Sequence, residues 1–268
     1  MVIGFSANGD NDIERCFQKI AAELLLKPVI DTGHWQSVRN VPQTKTYEIQ
    51  HAIIEIPIAA TKGAWASFMK PNLPWADEHF AERVGGKALN PPPSHVNWPF
   101  AQGGNAEFTD DDEEFSHSYP ERMWPRDAFG SGLGLKYRLG DLNNAVDLLL
   151  QEPHTRQCYI AIWYPEDLHA AAVEQARVPC TLGYHMMLRR DKLHVFYPMR
   201  SLDLLRYFQD DAYMAGRLGQ WLIHECEKRE PGGMWKHVTP GNLTMFASSL
   251  HIFQDDVPIL RHKYGVNV

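Results

Sequence analysis

The chain is 268 residues long, 44% hydrophobic and 22% charged, with a net charge of −7 at neutral pH. That length supports a large buried core in one domain spanning 1–268. The acidic balance excludes broad, sequence-independent nucleic-acid binding, which draws on a basic surface to neutralise phosphates, whereas a small phosphorylated ligand needs only a few local arginines. The start of the sequence carries neither a basic leader nor an apolar run, and no segment reaches the length of a membrane span. The four cysteines, at 16, 158, 180 and 226, show no CxxC spacing. Neither a disulfide framework nor a zinc site is expected, and a reducing cytoplasm fits best.

In chain order, Ile13, Cys16, Phe17, Ile20, Ala21, Leu24 and Leu25 recur at helical spacing within 11–27, with Asn11 and Glu14 resembling a capping box and Pro28 as the stop. Residues 48–58 are rich in isoleucine and read as a strand. From about 90 to 125 the chain is crowded with Pro, Gly and acidic residues, which predicts a long surface excursion. Its acidic run at 109–114 reads as a solvated loop, since adjacent like charges repel. The glycines at 130, 132 and 134 lack a preceding buried strand and the spacing of a dinucleotide fingerprint, so they too read as loop. A helix is expected from Asp141 to Glu152 and a strand over 158–164. Two strands, 181–188 and 193–199, form a hairpin across 189–192; a mainly helical stretch runs over 202–228, and a last strand lies within 242–253. The sum is an α/β (α+β) protein with a large twisted mixed sheet backed by helices.

The chemistry concentrates in the hairpin. Cys180 stands in Val178-Pro179-Cys180-Thr181, and the returning strand carries Met199-Arg200-Ser201-Leu202-Asp203. A cation beside a thiol favours the thiolate, the form that attacks electrophiles. A lone cysteine is more often an inert, buried small hydrophobe, but the surrounding pattern is specific. The Asp141 helix, His154-Thr155-Arg156-Gln157, a strand with Trp163, the Cys180 segment, the Arg-Ser-x-Asp run, and Gly241-Asn242 leading to His251-Ile252-Phe253 follow one another as similar segments do in thymidylate synthases. The match is strong over 119–253 and weaker over 1–98.

This resemblance implies the thymidylate synthase fold, 5,10-methylenetetrahydrofolate as cofactor, a pyrimidine nucleoside monophosphate as substrate, and a homodimer with shared active sites. Cys180 would attack pyrimidine C6 and make C5 nucleophilic. Glu78, seven residues before Gly85, resembles the family's catalytic glutamate, with Asp77 and Glu82 as alternative matches. Tyr119 resembles its active-site tyrosine. Arg200 and Ser201 would bind phosphate, with Arg156 contributed by the partner subunit. Gln157 replaces a second family arginine, and Arg39 is a further phosphate-binding candidate. Asp203 and His251 fall in the substrate-binding motifs, although Phe253 replaces a tyrosine and leaves deoxyribose against ribose open.

Asp211 stands where thymidylate synthases have an asparagine that reads uracil, and deoxycytidylate hydroxymethylases carry aspartate there. A carboxyl group can accept from the cytosine amino group and share a proton with N3; a slip of one residue would put Asp210 in that role. Cys180-Thr181 and Met199-Arg200-Ser201 also resemble the hydroxymethylases. The expected activity is therefore 5-hydroxymethylation of dCMP, with CMP hydroxymethylation, C5 methylation of dCMP or dUMP, and a non-catalytic nucleotide- or RNA-binding relative as alternatives.

Overall fold

Helix α1 (Asp12–Leu25) turns its apolar stripe, Ile13, Cys16, Phe17, Ile20, Ala21 and Leu24, wholly inward, as the 3.6-residue period requires. It packs on a sheet that the computed structural model shows for residues 3–6, 12–32, 45–98, 114–125, 139–174 and 176–266, the described part of the chain. Asn11, Arg39, the glycine-rich segment 130–134 and the acidic run 109–113 lie outside the described residues.

Among the described residues seven strands form one mixed sheet: β1 (Ile3–Ser6), β2 (Val29–Asp31), β3 (Lys45–Pro57), β4 (Tyr159–Ala161), β5 (Gly183–Arg189), β6 (Lys192–Asp203) and β7 (Thr239–Phe253), in the order β1-β3-β7-β6-β5-β4 with β2 also on β3. β1 with β3 and β6 with β7 are parallel, and the other pairings are antiparallel. Parallel neighbours need a crossover. Between β6 and β7 it is α7 (Phe208–Arg229), packed on both strands. The helix-facing side of the sheet is buried through Ile54, Ile56, Val195, Tyr197, Met245 and Ala247. The alternate residues Ile53, Phe196 and Phe246 on the opposite side keep some exposure, the period-two consequence of pleating.

The β5–β6 hairpin turns at Arg190 and Asp191, both left-handed at φ 52° and 57°, the two-residue turn whose twist suits paired strands. Helix α5 (Leu142–Gln151) begins at a capping box made by Asp141 and Asn144, which satisfies the otherwise orphaned first-turn amides. The expected strand 158–164 contracts to β4. The expected helix from 202 begins only at Phe208, because β6 runs on to Asp203. There Oδ1 of Asp203 accepts from the amides of Leu205 and Arg206 at 2.9 and 3.0 Å, holding the chain in a side-chain-closed turn. Within the expected excursion, the described residues include a 3-10 turn over 93–97 and helix α4 (Tyr119–Met123).

Candidate active site

Cys180 lies at the mouth of the hairpin, where Thr181 bridges to Met199 and the Arg200 amide donates to the Cys180 carbonyl at 2.9 Å. That pairing brings the Arg200 side chain over the cysteine segment. Its Nε donates to the Pro179 carbonyl at 2.8 Å, Nη2 to the Val178 carbonyl at 2.9 Å, and Nη2 stands 3.7 Å from the Cys180 sulfur. Burial nevertheless pushes the thiol above its ordinary pKa, assisted by Asp211 and Asp203 and opposed by Arg200 and Arg177. In the ligand-free pocket desolvation outweighs the two cations, so the resting group is the thiol.

Next to it, Thr181 is fully buried and links two tyrosines: its Oγ1 is 3.0 Å from the Tyr119 hydroxyl and 2.8 Å from that of Tyr197. Tyr184 stacks on Tyr197 with ring centroids 4.6 Å apart. Burial raises all three phenols, so none ionises near neutrality. They form a hydroxyl chain able to relay a proton rather than to abstract one.

Asp211 faces this cluster from the first turn of α7. Burial first, then the neighbouring Asp210, push its carboxyl up to about 7 against the opposing pull of Arg83. Among the described residues nothing hydrogen-bonds that carboxyl. Asp210 points elsewhere: its two oxygens accept from the Asn72 amide and side chain, each at 2.7 Å. Asp203 and His251 are paired in register across β6 and β7. Both are buried, and Oδ2 of Asp203 and Nδ1 of His251 lack hydrogen-bond partners among the described residues, although Arg206 Nε lies 3.8 Å from the former. Ser201 is buried on the same strand.

Two expected residues stand apart. Glu78 is exposed on the first turn of α3 (Trp75–Arg83), touched only by Asn97 at 3.4 Å among the described residues. The alternative matches are engaged elsewhere, Asp77 with Lys62, Tyr213 and Arg217 and Glu82 with Ser94 and His79. Arg156 is exposed, with its carbonyl accepting from His185 at 3.0 Å.

Sequence reasoning missed two cations. Arg83, on the last turn of α3, is buried with its guanidinium 4.0 Å from the centre of the Tyr119 ring and Nη1 3.5 Å from the Tyr184 hydroxyl. The signal was present: Trp75, Ala76, His79, Phe80 and Arg83 form one buried helical face, and a charge on such a stripe needs a reason. Arg177, three residues before the cysteine, is partly buried within electrostatic reach of Cys180, Arg200 and Tyr207. Its carbonyl is held by Ser116 at 2.8 Å and His117 at 3.2 Å. Burial first, then Arg122, Arg177 and Arg200, push His117 down to about 3, against the hydrogen bond to the Arg177 carbonyl.

No protein-family model and no curated protein matches this sequence. Among solved structures, the thermostable thymidylate synthase A of Bacillus subtilis superposes with a TM-score of 0.67 over 95% of this chain and 84% of that one, at 13% identity. This chain has the thymidylate synthase fold. At that identity the likeness is one of architecture, and the chemistry has to be argued from the pocket's own residues.

Proposed function

We propose that the chain is a folate-dependent enzyme that hydroxymethylates C5 of a cytidine monophosphate, dCMP before CMP. The observation that carries this reading is the convergence, on a thymidylate synthase fold, of a thiol 3.7 Å from a guanidinium with a carboxyl raised to about 7 and lacking hydrogen bonds within the described residues. Cys180 adds to C6 and delivers electron density to C5. Asp211 meets the base edge, accepting from the 4-amino group and exchanging a proton with N3, for which a pKa near neutrality is well matched. Arg200, Ser201 and Arg177 hold the phosphate. Arg177 supplies the cation that Gln157 does not, and Arg156 reaches the phosphate of a second copy's site. Asp203 and His251, whose buried Oδ2 and Nδ1 make no hydrogen bond among the described residues, take the sugar hydroxyls. Glu78 has no part in this set.

The donor set also fits a reduced folate. Trp163, Trp98 and Tyr207 are partly exposed aromatics, Trp98 and Tyr207 stacked at 5.7 Å, surfaces on which a flat heterocycle can lie. When bound, 5,10-methylenetetrahydrofolate supplies the one-carbon unit that C5 takes.

No helix among the described residues is long and apolar enough to cross a membrane; all four cysteines are free thiols, which suits a reducing cytoplasm. The decisive experiment incubates the chain with dCMP, CMP or dUMP and methylenetetrahydrofolate and weighs the product. A hydroxymethylated cytidylate is expected, and Cys180→Ala should abolish both product and exchange of the C5 hydrogen with solvent. A methylated product would replace the water-quenched reaction with a thymidylate synthase-type one. Exchange that survives in Cys180→Ala would sink the covalent mechanism, and wild-type chain giving neither product nor exchange would sink the enzymatic reading.

A further inference from the structure

Arg83 is a buried cation with no ion-pair partner among the described residues. Its Nε, wholly shielded from solvent, makes no hydrogen bond there, its Nη1 reaches only the Tyr184 hydroxyl at 3.5 Å, and its charge rests on the Tyr119 ring. Burying a guanidinium this way is costly unless something else uses it. Its backbone is pinned, because the Trp124 indole donates to the Arg83 carbonyl at 2.9 Å. The pocket therefore holds a fixed, under-used donor at one end and an acceptor, Asp211, at another. The two interact electrostatically, and no salt bridge joins them among the described residues.

We propose that Arg83 is a specificity residue of this site, presenting a donor beside the Asp211 acceptor so that the two together read the polar edge of a bound pyrimidine. With cytosine, Asp211 accepts from the 4-amino group and shares a proton with N3 while Arg83 donates to O2, so the pair covers the polar edge from both ends. Arg83 also sets the charge on Asp211. The groups facing that carboxyl are Arg83 from α3, Asp210 from α7 itself, Tyr119 from α4, Tyr184 from β5, Tyr197 from β6 and the Cys180 thiol. Arg83 is the one cation among them, and it opposes burial and Asp210. The inference rests on the nucleotide reading above, but half of it can be measured without a nucleotide.

The test uses Arg83→Met, which keeps apolar bulk over Tyr119, and Arg83→Lys, which keeps the charge but loses the fork, so that one failing to fold leaves the other. In ligand-free protein, carboxyl NMR of Asp211 should show its midpoint moving upward in Arg83→Met and returning towards wild type in Arg83→Lys. A midpoint that stays put in Arg83→Met, or in Arg83→Lys moves as it does in Arg83→Met, overturns the pair whatever the ligand. If Arg83→Met does not fold, an Arg83→Lys midpoint close to wild type supports the pair and an upward shift overturns it. Binding of dCMP, CMP, dUMP and UMP is then measured by calorimetry for wild type, Arg83→Met, Asp211→Asn and the double variant. Arg83→Met should weaken the preferred nucleotide by roughly tenfold or more, Arg83→Lys should recover only part of this, and the double variant should lose less than the sum of its parts. Additive losses, or unchanged affinity in either Arg83 variant, overturn the edge reading while leaving the nucleotide reading intact. Wild-type chain that binds none of the four overturns the nucleotide reading and this one with it.

Discussion

Asp210 and Asp211 sit about 100° apart on α7, and that rotation separates a structural carboxylate from a ligand-facing one. Asp210 anchors the Asn72 loop through two hydrogen bonds, whereas Asp211 has none among the described residues. Asp211→Asn should therefore lower activity on cytidylate and raise it on uridylate, changing the ratio of the two kcat/KM values by roughly tenfold to a hundredfold. Asp210→Asn should leave that ratio alone and instead cost about 1–3 kcal/mol of stability, read from the urea midpoint. A ratio that follows Asp210 would mean the base meets the other aspartate. Asp211 also predicts a pH signature. Its pKa rises from 3.8 to about 7 on folding, so the folded chain holds an extra proton between those values and loses stability as pH climbs through them. Asp211→Asn should be the more stable chain at pH 8 and lose that advantage by about pH 4; an advantage independent of pH would show that burial is not what shifts the group. At this scale the sequence disclosed the cysteine and its arginine because the hairpin that joins them is local. It offered Arg83 only as a charge on an apolar helical face, because the three tyrosines around it come from α4, β5 and β6 and only the folded chain assembles them.

Helix α7 packs closely on its neighbours through glycines, Gly219 against Val195 of the sheet and Gly216 against Trp65. A Cβ at Gly216 would overlap the ring of Trp65 in α2 (Lys62–Met69), which is fully buried and donates its indole N–H to the Tyr213 carbonyl at 2.9 Å. Helix propensity alone favours Ala over Gly by about 1 kcal/mol, but overpacking a filled interface costs about 1–3 kcal/mol. The clash should win. Gly216→Ala is expected to lower the thermal midpoint, and a rise would mean that α2 yields more easily than its buried tryptophan suggests. Element boundaries follow the same division between near and distant causes. α1 was legible from its apolar period, α5 from its start at Asp141-Leu142-Asn143-Asn144 and its stop at Glu152-Pro153, and the hairpin from two strand-like runs joined across 189–192. The extra length of β6 was not, because residues 200–203 owe their extended form to β7 alongside, and the delay of α7 to the Asp203 side chain. β3 likewise starts three residues early and changes pleat phase at His51, which has φ of 58°, leaving Ile49 and Ala52 both buried.

One side of the sheet is sealed by helices, and the other presents Ile53, Phe196, Phe246 and Tyr159 with partial exposure, Phe196 at 36% and Tyr159 at 49%. Such a face on so large a sheet suits a second copy of the chain, and the proposed dimer would give Arg156 a task. That arginine is exposed on the connection between α5 and β4, and its charge meets no ion-pair partner among the described residues, so as part of a lone chain it does nothing for the Cys180 pocket. If it completes the phosphate site of a partner, Cys180→Ala and Arg156→Ala should each be inactive as pure proteins and recover on mixing. In a hybrid dimer, one of the two pockets has lost both the thiol and the arginine. The other pairs an intact Cys180 with an intact Arg156 from across the interface and is a whole site. Random reassortment makes half of the dimers hybrid, each with one good pocket of two, so activity should approach about a quarter of wild type. Subunit exchange must be verified first, by mass-tagged chains or energy transfer between labels. Exchange without recovery would remove Arg156 from the site. Recovery near a quarter of wild type with a KM for nucleotide equal to wild type would place the arginine on the phosphate of its neighbour.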